Sequence, residues 1–284
     1  MSDATDALVS PEWLAQRLND PALRVVDATW YLPGQGRTGE QDYAQRRIPG
    51  AVFWDLEGIA DRSTDLPTML SQPAAFAADM ARLGIGPATQ VVVYNGAGVM
   101  SAPRVWWTLR YFGHTQVAVL DGGLARWLSE GRPVETGAPR PAPAAAAFAA
   151  RPQAAMAWDV DAVRRNIDSR SVQLVDARSA ARFNGTEAET RANCRSGHIP
   201  GSRNLPFNEI VDAKSKTMLP PAQIADRFAR AGIDLGQPIV ASCGSGVTAA
   251  VLALGLHLIG RPDTPIYDGS WSEWGTRRDT PVET

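Results

Sequence analysis

Residues 228–247, FARAGIDLGQPIVASCGSGV, decide the reading of the chain, because residues 80–99, MARLGIGPATQVVVYNGAGV, repeat their pattern. In each stretch the end of an amphipathic helix passes through a glycine into a short apolar strand and then a glycine-rich turn. The correspondence continues outward in the same order. LRVVDATW at 23 returns as VQLVDARS at 172, RIPGAVFWDL at 47 as HIPGSRNLPF at 198, and VAVLDGGLARW at 117 as TPIYDGSWSEW at 264. Asp27 is thereby matched by Asp176, Asn95 by Cys243, Asp121 by Asp268 and Trp127 by Trp274. Four segments in one order describe two copies of a single domain.

Each copy holds short Val/Ile/Leu runs, at 23–26, 91–94 and 117–120 and again at 172–175, 238–241 and 265–267. Helical spacing lies between them, at 73–83, 101–112, 221–231 and 247–259. Near-continuous apolar strands alternating with helices predict an α/β domain with a mainly parallel sheet covered by helices on both faces. The domains are expected at 1–130 and 154–284, joined by a Pro/Ala-rich linker at 131–153.

The 284 residues suffice for two domains with real cores, and a composition 44% hydrophobic and 20% charged is that of a soluble globular protein. A net charge of −2 without any Lys/Arg block argues against a nucleic-acid partner. No stretch approaches 18 uninterrupted apolar residues, and the amino terminus lacks both a basic and an apolar leader segment, so no membrane partner and a cytoplasmic location are expected. The chain has 2 cysteines and 3 histidines, too few for a disulfide scaffold and without the pairing of a metal site.

Cys243 therefore asks for a chemical role. It follows an apolar strand, at the carboxyl end where open α/β sheets bind ligands. Gly244 and Gly246 let the backbone curl so that successive N–H groups point inward, and a helix starting near Thr248 adds its positive end. Such a cradle favours an anion, and around a cysteine it favours the thiolate over the free thiol, whose pKa is about 8.5. Two reaction classes use this layout. Cysteine phosphatases place an arginine six residues after the cysteine to grip phosphate, and Ala249 stands there. Sulfur transfer remains, with the thiolate holding a sulfur atom as a persulfide inside the cradle.

CGSGVTA at 243, GHIPG at 197, RIPGAVFWD at 47, SAPRVWW at 101 and YDGSWSEW at 267 resemble the tandem-domain rhodanese sulfurtransferases over almost the whole chain, most specifically in the cysteine loop. The resemblance implies that only the second domain is catalytic, Asn95 replacing the cysteine in the first, with no metal or organic cofactor. It implies 3-mercaptopyruvate as the sulfur donor and a thiol, a thioredoxin-like reductant or cyanide as acceptor. Thiosulfate-using relatives carry basic residues within the loop, whereas Gly244 and Ser245 are neutral and small. Arg182 and Arg191, in ARFNGTEAETR, fall where mercaptopyruvate-using members hold their substrate. Spacing alone favours reading either arginine as a solvated surface charge or a salt bridge with Glu187 or Glu189, and it is the resemblance that turns both toward the substrate. In this reading Cys243 is the nucleophile and Ser245 supplies the proton to the leaving carbon. Gly244, Gly246, Val247 and Thr248 line the substrate loop, Thr248 also serving hydrogen bonding at the helix start.

Some members are proposed to add an Asp and a His from the first domain, the His directly before IPG. By that count the positions are Thr38 and Arg47, so the pair is absent. Arg47 is left either as an electrostatic aid to the anion or as an interdomain salt bridge. His198 reads as structural, and Cys194 as a polar-loop thiol open to oxidation. The competing functions are thiosulfate:cyanide sulfurtransferase and a non-catalytic sulfur carrier.

Overall fold

The computed structural model describes residues 7–32, 34–96, 100–138, 141–189 and 191–284. The chain divides into two compact units. The first runs to Arg62, resumes over Ser71–Gln153 and takes in Ala213–Thr217; the second comprises Ser63–Leu70, Ala154–Asp212 and Met218–Thr284.

The first unit runs β1 (Leu8–Val9), α1 (Pro11–Ala15), β2 (Leu23–Asp27), α2 (Gly39–Gln45), β3 (Val52–Phe53), α3 (Pro73–Arg82), β4 (Gln90–Tyr94), α4 (Ala102–Tyr111), β5 (Val117–Leu120) and α5 (Gly123–Ser129). The second repeats the pattern as β6 (Ala157–Trp158), α6 (Val160–Ser169), β7 (Gln173–Asp176), α7 (Ala180–Phe183), β8 (Arg203–Asn204), α8 (Pro221–Arg230), β9 (Ile239–Ser242), α9 (Ala249–Leu258), β10 (Ile266–Tyr267) and α10 (Ser270–Trp274). Both sheets are parallel throughout, in the orders β1-β5-β4-β2-β3 and β6-β10-β9-β7-β8.

The apolar runs become the inner strands because helices cover both faces. Every residue of β2, β5 and β9 is buried. Helix α9 is apolar around most of its circumference, and its residues from Ala249 to Leu256 are all buried, as such a helix must be. Among the described residues no helix is long and apolar enough to cross a membrane.

The repeat extends to individual hydrogen bonds. Ala28 N–H donates to Tyr94 O and Ala177 N–H to Ser242 O, both at 2.8 Å. The Trp127 indole donates to Pro133 O at 2.7 Å, and that of Trp274 to Pro281 O at 2.8 Å. Arg47 exchanges backbone bonds with Glu135, and His198 does the same with Glu283. The Pro/Ala-rich stretch expected as a linker thus lies along the first unit. Phe148 in it is buried against Phe76, and Arg151 and Gln153 N–H donate to Phe112 O and Tyr111 O.

Candidate active site

In each unit the chain passes from an inner strand to the edge strand on one side (β2 to β3, β7 to β8) and then crosses to the other side (β4, β9). The crevice at such a reversal is where α/β sheets bind ligands. Cys243 stands there, directly after β9 and 1% exposed.

Three successive carbonyls of the cysteine loop are held from outside. Cys243 O accepts from Trp271 N–H at 2.9 Å. Gly244 O accepts from Ser272 N–H at 2.8 Å and from its hydroxyl at 2.6 Å. Ser245 O accepts from the Thr68 hydroxyl at 2.6 Å. In a trans peptide the N–H points opposite to the C=O. Fixing these carbonyls outward therefore turns the N–H groups of Gly244, Ser245 and Gly246 toward the inside of the loop. Gly246 takes φ +75°, the left-handed conformation that closes the curl and that glycine adopts without penalty. Among the described residues the N–H groups of Gly244, Ser245, Val247 and Thr248 donate to no protein acceptor, and neither the Cys243 sulfur nor the Ser245 hydroxyl has a protein partner. The loop is an anion cradle in which the donors of Gly244, Ser245, Val247 and Thr248 are unspent.

Thr248 departs from expectation. It occupies the helix-start position of α9 but has helical φ −77° and ψ −17°, and its side chain makes no cap bond. A capping side chain reaches the helix N–H groups from an extended backbone, which Thr248 lacks. Val247 is buried at the loop's inner turn.

Arg182, from the last turn of α7, lies over the loop. A Cβ added to Gly244 would come within 3.2 Å of its Nη2. It is also the ion-pair partner of Glu189, at 2.5 Å. Glu189 accepts in turn from Arg178 at 2.7 Å, and Arg178 pairs with Asp176 at 2.7 Å; both carboxylates and Arg178 are almost wholly buried. The Arg178 guanidinium lies 4.4 Å from the ring centroid of Trp271, whose N–H holds Cys243 O. Arg191 is half-buried, and its charge acts on Cys194 together with those of Arg178, Arg182 and Glu189, so all five groups share one neighbourhood.

The sequence reading missed Thr68, Arg178 and the Ser270–Ser272 turn; Glu189, which it offered only as a salt-bridge partner of the arginines, does pair with Arg182. Thr68 sits at φ +53°, costly for a β-branched residue, which marks a position held by its surroundings. Cys194 is not the open thiol expected. It is half-buried, donates to Trp271 O at 3.6 Å, and burial pushes its pKa up to about 11, which keeps it protonated and unreactive at neutral pH.

Arg47 is 2% exposed in the first unit, where it donates to Gly137 O at 2.8 Å and Ala138 O at 3.2 Å, lies 3.7 Å from Glu135 and covers the Tyr43 ring. Thr38 forms a reciprocal cap with Gln41 at the start of α2. His198 stacks on Phe183 with ring centroids 3.8 Å apart and bonds to its carbonyl. In the first unit Asn95 follows β4 as Cys243 follows β9, and its carbonyl accepts from Leu124 N–H at 3.1 Å. Residues 97–99, the rest of that loop, lie outside the described residues.

The Rhodanese-like domain family matches this chain twice, at residues 10–130 and 159–277. The chain belongs to the rhodanese family and is a sulfurtransferase. It is 46% identical over 299 residues to thiosulfate/3-mercaptopyruvate sulfurtransferase 1, mitochondrial, of Arabidopsis thaliana, with 99% of this chain and 79% of that one covered. It is 44% identical over 277 residues to human 3-mercaptopyruvate sulfurtransferase, covering 95% and 92%. The crystal structure of SseA from Escherichia coli, described as showing the rhodanese fold and catalytic mechanism of 3-mercaptopyruvate sulfotransferases, superposes with a TM-score of 0.85. It is 37% identical and covers 94% of this chain and 99% of that one.

Proposed function

We propose that the protein takes sulfur from 3-mercaptopyruvate, holds it as a persulfide on Cys243 and passes it to a thiol, a thioredoxin-like reductant or cyanide. The observation that carries this reading is the placement of Arg182. The cation stands beside the loop, over Gly244, while the loop itself has no basic side chain. Mercaptopyruvate keeps its carboxylate away from its thiol, so a cation off the loop suits it. Thiosulfate carries its charge next to the sulfur and calls for a cation within the loop.

In the first step the Cys243 thiolate attacks the donor sulfur, an S–S bond forms and the S–C bond breaks, its electron pair passing to carbon as the enolate of pyruvate. Arg182 and Arg191 hold the carboxylate and the developing enolate oxygen, Arg182 through the planar fork that matches a carboxylate. The Ser245 hydroxyl, unbonded to protein and two residues from the nucleophile, delivers a proton to the enolate carbon and is replenished by the proton that the donor sulfur loses. The products are pyruvate and an anionic persulfide stabilised by the inward N–H groups. An acceptor then attacks the outer sulfur and restores the Cys243 thiolate.

Steady-state turnover of 3-mercaptopyruvate and thiosulfate, side by side with a thiol acceptor and cyanide and with Cys243→Ser as blank, tests the reading. It requires a preference for mercaptopyruvate that the substitution abolishes. Preference for thiosulfate would overturn the donor assignment, and turnover of neither would make the protein a carrier fed by another protein.

A further inference from the structure

We propose that Glu189 is a specificity-determining residue that sets the charge of the donor the site accepts, favouring a monoanion over a dianion. The proposal deepens the donor reading above and rests on it for the position of the substrate. The observations are local. The Glu189 side chain is 2% exposed and shares its two carboxylate oxygens between Arg178 and Arg182, the second of which covers the cysteine loop.

Glu189 is the member of the network that both tethers the substrate-facing arginine and cancels a charge beside it. Asp176, one arginine further back, is bound to Arg178 alone among the arginines that the structure pairs with it. A charge change at Glu189 acts on a dianion twice as strongly as on a monoanion, because the Coulomb energy scales with donor charge.

The test is kcat/KM for both donors in Glu189→Gln, which keeps the shape and removes the charge. The expected result is a rise of about tenfold in the thiosulfate-to-mercaptopyruvate ratio, the size that about one unit charge exerts across a few ångströms of partly screened site. Glu189→Asp, charged but shorter, is expected to lower both donors together and leave the ratio near that of the natural protein. A purely structural Glu189 would lower both donors equally in both variants, and an unchanged or reduced ratio in folded Glu189→Gln overturns the proposal.

Should that variant not fold, competitive inhibition of the natural protein decides. Pyruvate is expected to bind more tightly than sulfate, and the reverse order overturns the claim. A natural protein that prefers thiosulfate would defeat the donor reading, whereas the effect of Glu189 is read from the change in ratio and is judged separately.

Discussion

The carboxyl ends of β2 and β7 begin from the same peptide geometry and finish with opposite chemistry. Asp27 and Asp176 close the two strands, and each accepts at 2.8–2.9 Å from the backbone N–H two residues on. That residue is Thr29 in the first unit and Arg178 in the second. Thr29 gives its hydroxyl to Asp27 and accepts from Gly96 N–H at 2.7 Å. Arg178 instead neutralises Asp176, reaches Glu189 and through it holds Arg182 over Gly244. Gly96 and Gly244 are equivalent, yet a Cβ on Gly96 would meet the Thr29 hydroxyl at 3.1 Å and one on Gly244 would meet Arg182. The two repeats thus differ in the residue that stands behind the loop, Thr29 against Arg178, as well as at the cysteine position.

The largest expected effect separates those two losses. Cys243→Ser should reduce sulfur transfer by more than about a thousandfold, as removal of a nucleophile does. Adding Asn95→Cys to that variant should restore nothing, since Thr29 and not an arginine lies against Gly96. Turnover above the blank in the double variant would show that the cysteine alone was missing.

Second comes the buried ion network. Asp176→Asn strips Arg178 of one of its two carboxylate partners and should cost about 3 kcal/mol in denaturant unfolding, as breaking a buried pair does. A loss no larger than that of a surface substitution would mean that Glu189 and Gly197 O satisfy Arg178 without it.

Asp27 should behave in the opposite way. Desolvation, opposed by the bonds from Thr29, raises its pKa to about 6. The native state then keeps a proton that the unfolded chain releases from about pH 4 upward, so stability falls as pH rises through roughly 4 to 6 and is level above. The full difference is on the order of 3 kcal/mol. Asp27→Asn should flatten that slope, which unfolding midpoints between pH 4 and 7 would show; an unaltered slope would place the titration elsewhere.

The smallest effects belong to the paired glycines. Gly244→Ala should push Arg182 and lower kcat/KM for mercaptopyruvate by roughly tenfold, about 1.4 kcal/mol of transition-state binding, with little change in stability. Gly96→Ala should leave turnover unchanged and cost about 1 kcal/mol of stability through Thr29. Equal kinetic effects would dissolve the contrast between the two ends.

Much of this contrast was legible in the chain itself. The repeat, the inner strands and the main helices follow from apolar periodicity, with ends shifted by one or two residues, and Cys243 is marked by the glycines that follow it. The two-residue strands β1, β3, β6, β8 and β10 are too short to carry a period, although the β10 run was marked by its apolar residues. Arg178 was silent because an arginine after VDA looks like a surface charge, and Glu189 was legible only as a surface partner of Arg182 or Arg191, not as the buried link between Arg182 and Arg178. Thr68 was out of reach for a stronger reason. Its segment belongs by sequence to the first repeat and by packing to the second unit, and no local pattern records that exchange.

The central claim is that sulfur rests on Cys243. The direct measurement is mass spectrometry of the protein after one addition of 3-mercaptopyruvate without acceptor, with pyruvate assayed in the same sample. The account predicts one added sulfur atom on the peptide containing Cys243, matched by one pyruvate per chain, and no sulfur on the Cys194 peptide. Pyruvate released without sulfur on Cys243, or sulfur carried by Cys194, would contradict it.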